Sequence, residues 1–152
     1  MHDRVLLITG ASSGIGAATA RAAAREGYQL VLAARSADKL TSLAQELGPE
    51  NVLTCEVDVT DLKQQQAMVE HAIETFGRID AVFANAGRGG SPGGFSSADH
   101  DAWREMILTN IYGVGLTLQA CLPELKRRQG HVLLTGSAAG RTTIPGSMYS
   151  AT

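Results

Sequence analysis

A chain of 152 residues, 44% hydrophobic and 18% charged, has the length and composition of one globular domain with a substantial core, rather than of a disordered chain. Its formal net charge of −2 supplies no basic footprint for nucleic acid and no lysine-rich face for a membrane, so neither is expected as a partner. No apolar run approaches the length of a membrane span, and Met1-His2-Asp3-Arg4 leads straight into an apolar stretch, which argues against a signal peptide and for the cytoplasm.

In chain order, Val5 to Thr9 is an uninterrupted apolar run with β-branched residues, the pattern of a strand buried on both faces. Gly10, Gly14 and Gly16 follow, and then an alanine-rich segment, Ala17 to Arg25, that favours a helix ended by Gly27 in a left-handed cap. Leu30 to Ala34 reads as a second strand. Ser36 is placed to cap the next helix, whose Leu40, Leu43, Ala44 and Leu47 fall on one face, with Gly48 closing it. Val52 to Val57 is a third strand. Thr60 is expected to cap a helix with Val69, Ile73 and Phe76 inward, ended by Gly77.

Ala81 to Ala84 is a fourth strand that delivers Asn85-Ala86-Gly87. The stretch from Arg88 to Ala98, rich in Gly and Ser and holding Pro92, reads as a loop. A long helix is then predicted from about Asp99 to Arg128, carrying Trp103, Met106, Ile107, Val114, Leu118 and Leu122. Gly113 and Gly115 inside it each cost roughly 1 kcal/mol against alanine, so close packing is expected at both, and Pro123 should kink the last turns. Val132 to Thr135 is a fifth strand, ending at Gly136-Ser137. Gly140 to Gly146 is a second loop, and a helix begins near Ser147.

Five apolar strands joined by crossover helices must lie parallel, with helices on both faces of the sheet. The expected strand order is 3-2-1-4-5, with a ligand crevice at the reversal between the first and fourth strands. Cys55 and Cys121 are expected to be buried single thiols, which suits a reducing compartment. His2, His71, His100 and His131 show no ligand spacing, so no metal site is expected.

A strand running through a glycine-rich turn into a helix N-terminus suits a phosphate anion. The first-turn N–H groups lack intrahelical partners, the dipole end is positive, and glycines allow close backbone approach. The spacing is G-x-x-x-G-x-G, and a flexible loop that binds nothing is the alternative. Asp58 and Asn85 each fall just past the carboxyl end of a strand, where ligands bind in such sheets. For Asp58, a plain acid at a helix start is the other reading.

Thr9-Gly10-Ala11-Ser12-Ser13-Gly14-Ile15-Gly16, Asn85-Ala86-Gly87, Asn110, Ser137 and Tyr149 together resemble the ordered motif set of the short-chain dehydrogenases/reductases over the whole chain. The resemblance implies a Rossmann-like, doubly wound α/β fold. It also implies that Gly10, Ser12, Ser13, Gly14, Ile15 and Gly16 line the pyrophosphate and adenosine side of a dinucleotide. Asp58 would bond the adenine amino group with Val59 beside it, and Asn85, Ala86 and Gly87 would pack against the nicotinamide ribose. Ser137 would polarise a substrate carbonyl, Tyr149 would give the proton, and Asn110 would hold a water in the proton relay.

An NAD enzyme needs an acid at the end of the second strand, to bind both ribose hydroxyls. Here the segment is Ala33-Ala34-Arg35-Ser36, and a guanidinium suits a 2′-phosphate in charge and geometry. The expectation is therefore NADP(H) rather than NAD(H), with a solvated surface arginine as the alternative.

The family's motif is Tyr-x-x-x-Lys, and Tyr149-Ser150-Ala151-Thr152 stops before the lysine, whose ammonium favours the phenolate. The later strands are missing too. The chain is thus expected to be the N-terminal part of a longer oxidoreductase, inactive as it stands, that interconverts a small-molecule carbonyl and a secondary alcohol and forms a homo-oligomer. The alternatives are a non-catalytic dinucleotide-binding module, or an interaction protein completed by another chain through its open fifth strand.

Overall fold

A computed structural model describes residues 4–89, 95, 97–142 and 146–152. Its strands are β1 (Val5–Thr9), β2 (Gln29–Ala34), β3 (Val52–Glu56), β4 (Ala81–Ala84) and β5 (His131–Leu134). Its helices are α1 (Gly14–Arg25), α2 (Ala37–Leu47), α3 (Leu62–Phe76), α4 (His100–Ile107) and α5 (Val114–Arg128). All strand pairs are parallel, in the order β3-β2-β1-β4-β5, which is the Rossmann-like arrangement expected.

The period of two along each strand divides the core. Val5, Leu7, Val31, Ala33, Cys55 and Val82 point to one face, where Met68, Val69 and Ala72 of α3 and Cys121 and Leu125 of α5 cover them. Leu6, Ile8, Leu30, Leu32, Ala81 and Phe83 point to the other, under Ala17, Ala20 and Ala23 of α1 and Leu40 and Leu43 of α2. The small alanine face of α1 lets that helix sit close to the sheet, which brings its first turn up to the end of β1. Burial pushes the Cys55 thiol up to about 11 and the Cys121 thiol to about 12, so both stay protonated inside the core.

Several local expectations are corrected. The first helix starts at Gly14, not Ala17, so the second and third motif glycines lie within it. The cap of α3 is Asp61, whose carboxylate accepts from the N–H groups of Lys63 and Gln64; Thr60 is occupied with Asp58 instead. Ser36 stands at the N-cap of α2 but its side chain makes no capping bond. Strand β3 ends at Glu56, and β5 runs one residue earlier than expected, leaving Thr135 to face Asn85. Near Ser147 there is only a short 3₁₀ turn, Met148–Ala151. The loop residues 90–94 (Pro92 among them), 96 and 143–145, and His2, lie outside the described residues.

The long helix is not uniform. Between α4 and α5 the chain widens into a π-helical segment, Leu108–Gly113, that carries Asn110. Gly113 is where close packing is required: a Cβ there would stand 2.7 Å from Val59 Cγ2. Gly115 has open space around its Cβ position, so the packing expected there is absent. The helix continues through Pro123 to Arg128. Contrary to expectation, His100–Arg128 is long and apolar enough to cross a membrane by length and composition, with a window of mean hydropathy 1.2. In this fold its α5 part lies against α3 and β4.

At the far side of the sheet β5 is open. Val132, Leu133 and Leu134 are 40%, 51% and 54% exposed, the exposed apolar edge that the sequence implied.

Candidate active site

Everything at the site hangs from the carboxyl ends of β1 and β4. Thr9 closes β1 fully buried, and its Oγ1 accepts from Asn85 N at 3.0 Å and Ala86 N at 3.1 Å. Asn85 answers by donating its Nδ2 to Thr9 O and Gly10 O at 3.1 and 3.3 Å, and its Oδ1 accepts from Thr135 Oγ1 at 2.8 Å. One asparagine therefore stitches the ends of β1, β4 and β5 together. Thr9 opens the glycine motif of the sequence but has no role assigned there, and Thr135 stands outside the motifs. A small hydroxyl at the last position of a strand was the available signal.

The turn between β1 and α1 is built tight. Gly10 has φ +66°, and a Cβ there would meet Ala86 Cα at 2.8 Å, so the turn leans on the segment after β4. Gly16 is buried in α1, where a Cβ would stand 2.3 Å from Gly10 O. The N-terminus of α1 has no side-chain cap, and no acid lies in its first turn. Its free N–H groups and positive dipole end are thus left facing the cleft, a setting that favours an anion.

The cleft has a volume of about 520 Å³, within the range of small-molecule and cofactor sites. Gly10, Ser12, Ser13, Ile15, Arg35, Asp58, Val59, Asn85, Ala86 and Gly87 line it, together with Asn110, Ser137 and Tyr149. Gly14 and Gly16 are not among the lining residues; Gly16 instead packs against the Gly10 carbonyl. Arg88, at the start of the loop after β4, also lines the cleft, as do Thr109 and Val114, which no sequence motif marks.

At one end Asp58 Oδ1 accepts from Thr60 N at 2.9 Å and Thr60 Oγ1 at 2.8 Å, while Asp58 N donates to Gln64 Oε1 at 2.9 Å. The Thr60 N–H above all holds the Asp58 carboxyl below the ordinary carboxylate range, against a burial effect, helped by the Thr60 hydroxyl and the Arg35 charge. An ionised acid and a guanidinium thus stand at the same end of the cleft.

At the other end Asn110 clamps the segment after β4. Its Oδ1 accepts from Arg88 N at 2.8 Å, and its Nδ2 donates to Arg88 O at 3.0 Å and to Thr152 Oγ1 at 2.9 Å. Thr152 Oγ1 in turn donates to Tyr149 O at 3.1 Å, so the asparagine reaches the turn that carries the tyrosine. Ser137 is exposed at the end of β5, with its Oγ accepting from Ala139 N at 3.1 Å. Arg88 is paired with Glu105 at 2.6 Å. Among the described residues, no group of three His, Cys, Asp or Glu side chains is placed to hold a metal ion.

The sequence model of the short chain dehydrogenase family matches residues 4–152. The chain belongs to the short-chain dehydrogenase family. An uncharacterized oxidoreductase of Listeria monocytogenes is 41% identical over all of this chain, which spans 62% of that relative's length. The glycine betaine reductase of Emericella nidulans is 40% identical over 99% of the chain, which matches 12% of that longer protein. Among solved structures, an alcohol dehydrogenase of the archaeon Thermococcus sibiricus, complexed with 5-hydroxy-NADP, superposes with a TM-score of 0.91 at 40% identity. That match covers 97% of this chain and 64% of the archaeal one. The family to which this chain belongs binds nicotinamide dinucleotides.

Proposed function

We propose that this short-chain dehydrogenase uses NADP(H) to interconvert a carbonyl compound and a secondary alcohol. The observation that carries the reading is the convergence, in one cleft, of Arg35 at one end, the uncapped N-terminus of α1 in the middle, and Asn110, Ser137 and Tyr149 at the other end. The residues fit an extended dinucleotide. Arg35 meets a 2′-phosphate, the free N–H groups of α1 meet the pyrophosphate with Ser12, Ser13 and Ile15 around it, and Asp58 and Val59 border the adenine. Asn85, Ala86 and Gly87 pack on the second ribose, while Gly14 and Gly16 let the backbone approach. The Thermococcus sibiricus relative, holding an NADP analogue, supports the choice of cofactor.

When bound, the cofactor supplies or receives the hydride. The Ser137 hydroxyl donates to the substrate oxygen, and the Tyr149 hydroxyl gives that oxygen its proton as charge develops there. Asn110 has both Nδ2 hydrogens engaged and keeps one Oδ1 lone pair for a relay water. Two buried free thiols suit a reducing, cytoplasmic setting. Ile111 and Tyr112, about half exposed on the long helix, suit a homo-oligomer contact. The exposed β5 favours a second reading, in which this edge pairs with another chain and the cleft serves only to bind.

Titration with NADPH, followed by nicotinamide fluorescence, tests the first part: saturable enhancement is expected, and its absence at millimolar cofactor leaves only the pairing role. In the protein's full chain, Tyr149→Phe should abolish turnover and spare NADPH binding. Retained turnover would remove the tyrosine from the reaction.

A further inference from the structure

Between α3 and α5, next to the cleft, lies a buried polar cluster that takes no part in the chemistry above. Gln65 of α3 is completely buried and Thr117 of α5 is 1% exposed. Gln65 Nε2 donates to Val59 O at 2.9 Å and to Thr117 Oγ1 at 2.8 Å, with Gly113 O a longer third acceptor at 3.3 Å. Thr117 Oγ1 gives its own proton to Gly113 O at 2.9 Å. The neighbours dictate which way the amide faces, because turned over its oxygen would meet the Val59 and Gly113 carbonyls. In the observed orientation Gln65 Oε1 is buried with no hydrogen-bond partner. A leucine here would remove the orphan oxygen but would leave the buried Val59 carbonyl without its donor, so the amide serves the tie to Val59 rather than packing.

Both ends of the tie belong to the cleft. Val59 lines it beside Asp58, and Gly113 closes the π-helical segment from which Thr109 and Asn110 line it. The two also touch, since Val59 Cγ2 occupies the space where a residue at 113 would place its Cβ. A π-helical stretch is a rare departure from the regular helix and recurs at functional sites. Gln65 and Thr117 both donate to the carbonyl at its end.

We propose that Gln65, acting with Thr117, is a positioning residue that locks the Val59 loop to the π-helical segment and thereby sets Asn110, Arg88 and the Tyr149 turn against the dinucleotide cleft. This deepens the NADP(H) reading and rests on it for its consequence.

The test compares Gln65→Leu, Thr117→Val and the combination of both with the parent chain. It reads melting temperature, amide exchange by NMR without cofactor, and NADPH titration. The combined variant keeps the volume and removes the orphan oxygen but leaves the Val59 carbonyl without its donor, so it should stay folded and melt modestly below the parent. Its Arg88 amide should nevertheless exchange about tenfold faster relative to Leu7 in the core, the Asn110 side-chain amide signals should move, and the NADPH Kd should rise about fivefold. Gln65→Asn, a methylene too short to span Val59 and Thr117, should behave like Gln65→Leu. Unmoved Arg88 and Asn110 signals would overturn the proposal, and so would faster exchange spread equally over core amides. If Gln65→Leu alone does not fold, Thr117→Val and the combined variant carry the same comparison. Failure of the parent chain to bind NADPH would defeat the cofactor reading, while the exchange data would still decide the role of Gln65.

Discussion

Asn110 and Arg88 are joined twice through one side chain: the asparagine Oδ1 takes the Arg88 N–H at 2.8 Å and its Nδ2 gives to the Arg88 carbonyl at 3.0 Å. The pairing closes a small ring between the π-helical segment and the chain leaving β4. It explains why a poor helix former occupies that position.

Removing that ring in Asn110→Ala leaves a part-buried N–H and carbonyl without partners, and should cost about 1–3 kcal/mol in urea unfolding. Asn110→Asp keeps the acceptor for Arg88 N but sets a carboxylate oxygen against the Arg88 carbonyl, so its loss at neutral pH should be no smaller than that of Asn110→Ala. An Asn110→Ala chain as stable as the parent would mean that the clamp is not formed in solution.

Gly16 and Gly14 should respond differently to alanine. At Gly16 the added Cβ would stand 2.3 Å from Gly10 O, a backbone atom that cannot swing aside. Gly16→Ala should therefore lose about 3 kcal/mol and loosen the β1–α1 turn. At Gly14 nothing lies within 4 Å of the Cβ position, and only its φ of +54° opposes a side chain. Gly14→Ala should lose about 1–2 kcal/mol. Equal losses in chemical unfolding would contradict the steric account.

Arg35 offers the cleft a guanidinium at the end of β2, where Ala33-Ala34-Arg35-Ser36 holds no acid to bind the two ribose hydroxyls; its charged neighbour at that end is Asp58. Arg35→Ala should weaken NADPH by roughly 10- to 100-fold, the worth of a charge-assisted bond, and leave NADH nearly untouched. Parallel titrations read this directly; equal weakening of both would reject contact with a 2′-phosphate.

Asp80 ties the opposite end of the sheet. Its carboxylate accepts from Val5 N at 2.8 Å and pairs with Arg78 at 2.6 Å. Burial pushes the Asp80 carboxyl up, but the Arg78 bonds, the Val5 N–H and the Arg78 and Arg128 charges together hold it below the ordinary carboxylate value. A carboxyl lowered by folding adds stability that is complete above its unfolded pKa of about 3.9 and is lost as pH falls through the folded value. Unfolding free energy should thus be level from neutral pH to about 5 and fall below about 4. Asp80→Ala should be about 1–3 kcal/mol less stable at neutral pH, with a shallower acid limb. An acid limb unchanged by the substitution would place the linkage elsewhere.

Much of this was legible along the chain. Apolar strand runs and their spacing predict both the strand order and the place of the crevice, because parallel strands with crossover helices leave few alternatives. The cap of α3 was misplaced by one residue, since Thr60 and Asp61 are both good caps and only the packing of Asp58 shows which is free. The π-helical segment left no periodic trace over six residues. The Gln65–Thr117 contact joins positions 52 residues apart, and no local pattern announces it.

By itself the sequence determined that β1 is buried on both faces, that the chain turns through glycines into α1, and that Arg35, Asp58, Asn85, Ser137 and Tyr149 follow their strands or turns in a fixed order. These are consequences of short-range periodicity and backbone freedom, which the chain carries locally. Only the tertiary structure decided that Asn85 joins three strand ends, that Asn110 grips Arg88, and that an amide on α3 braces the segment between α4 and α5. Such bonds form between groups far apart in the chain, and their partners are chosen by the packing of whole elements rather than by neighbours in sequence.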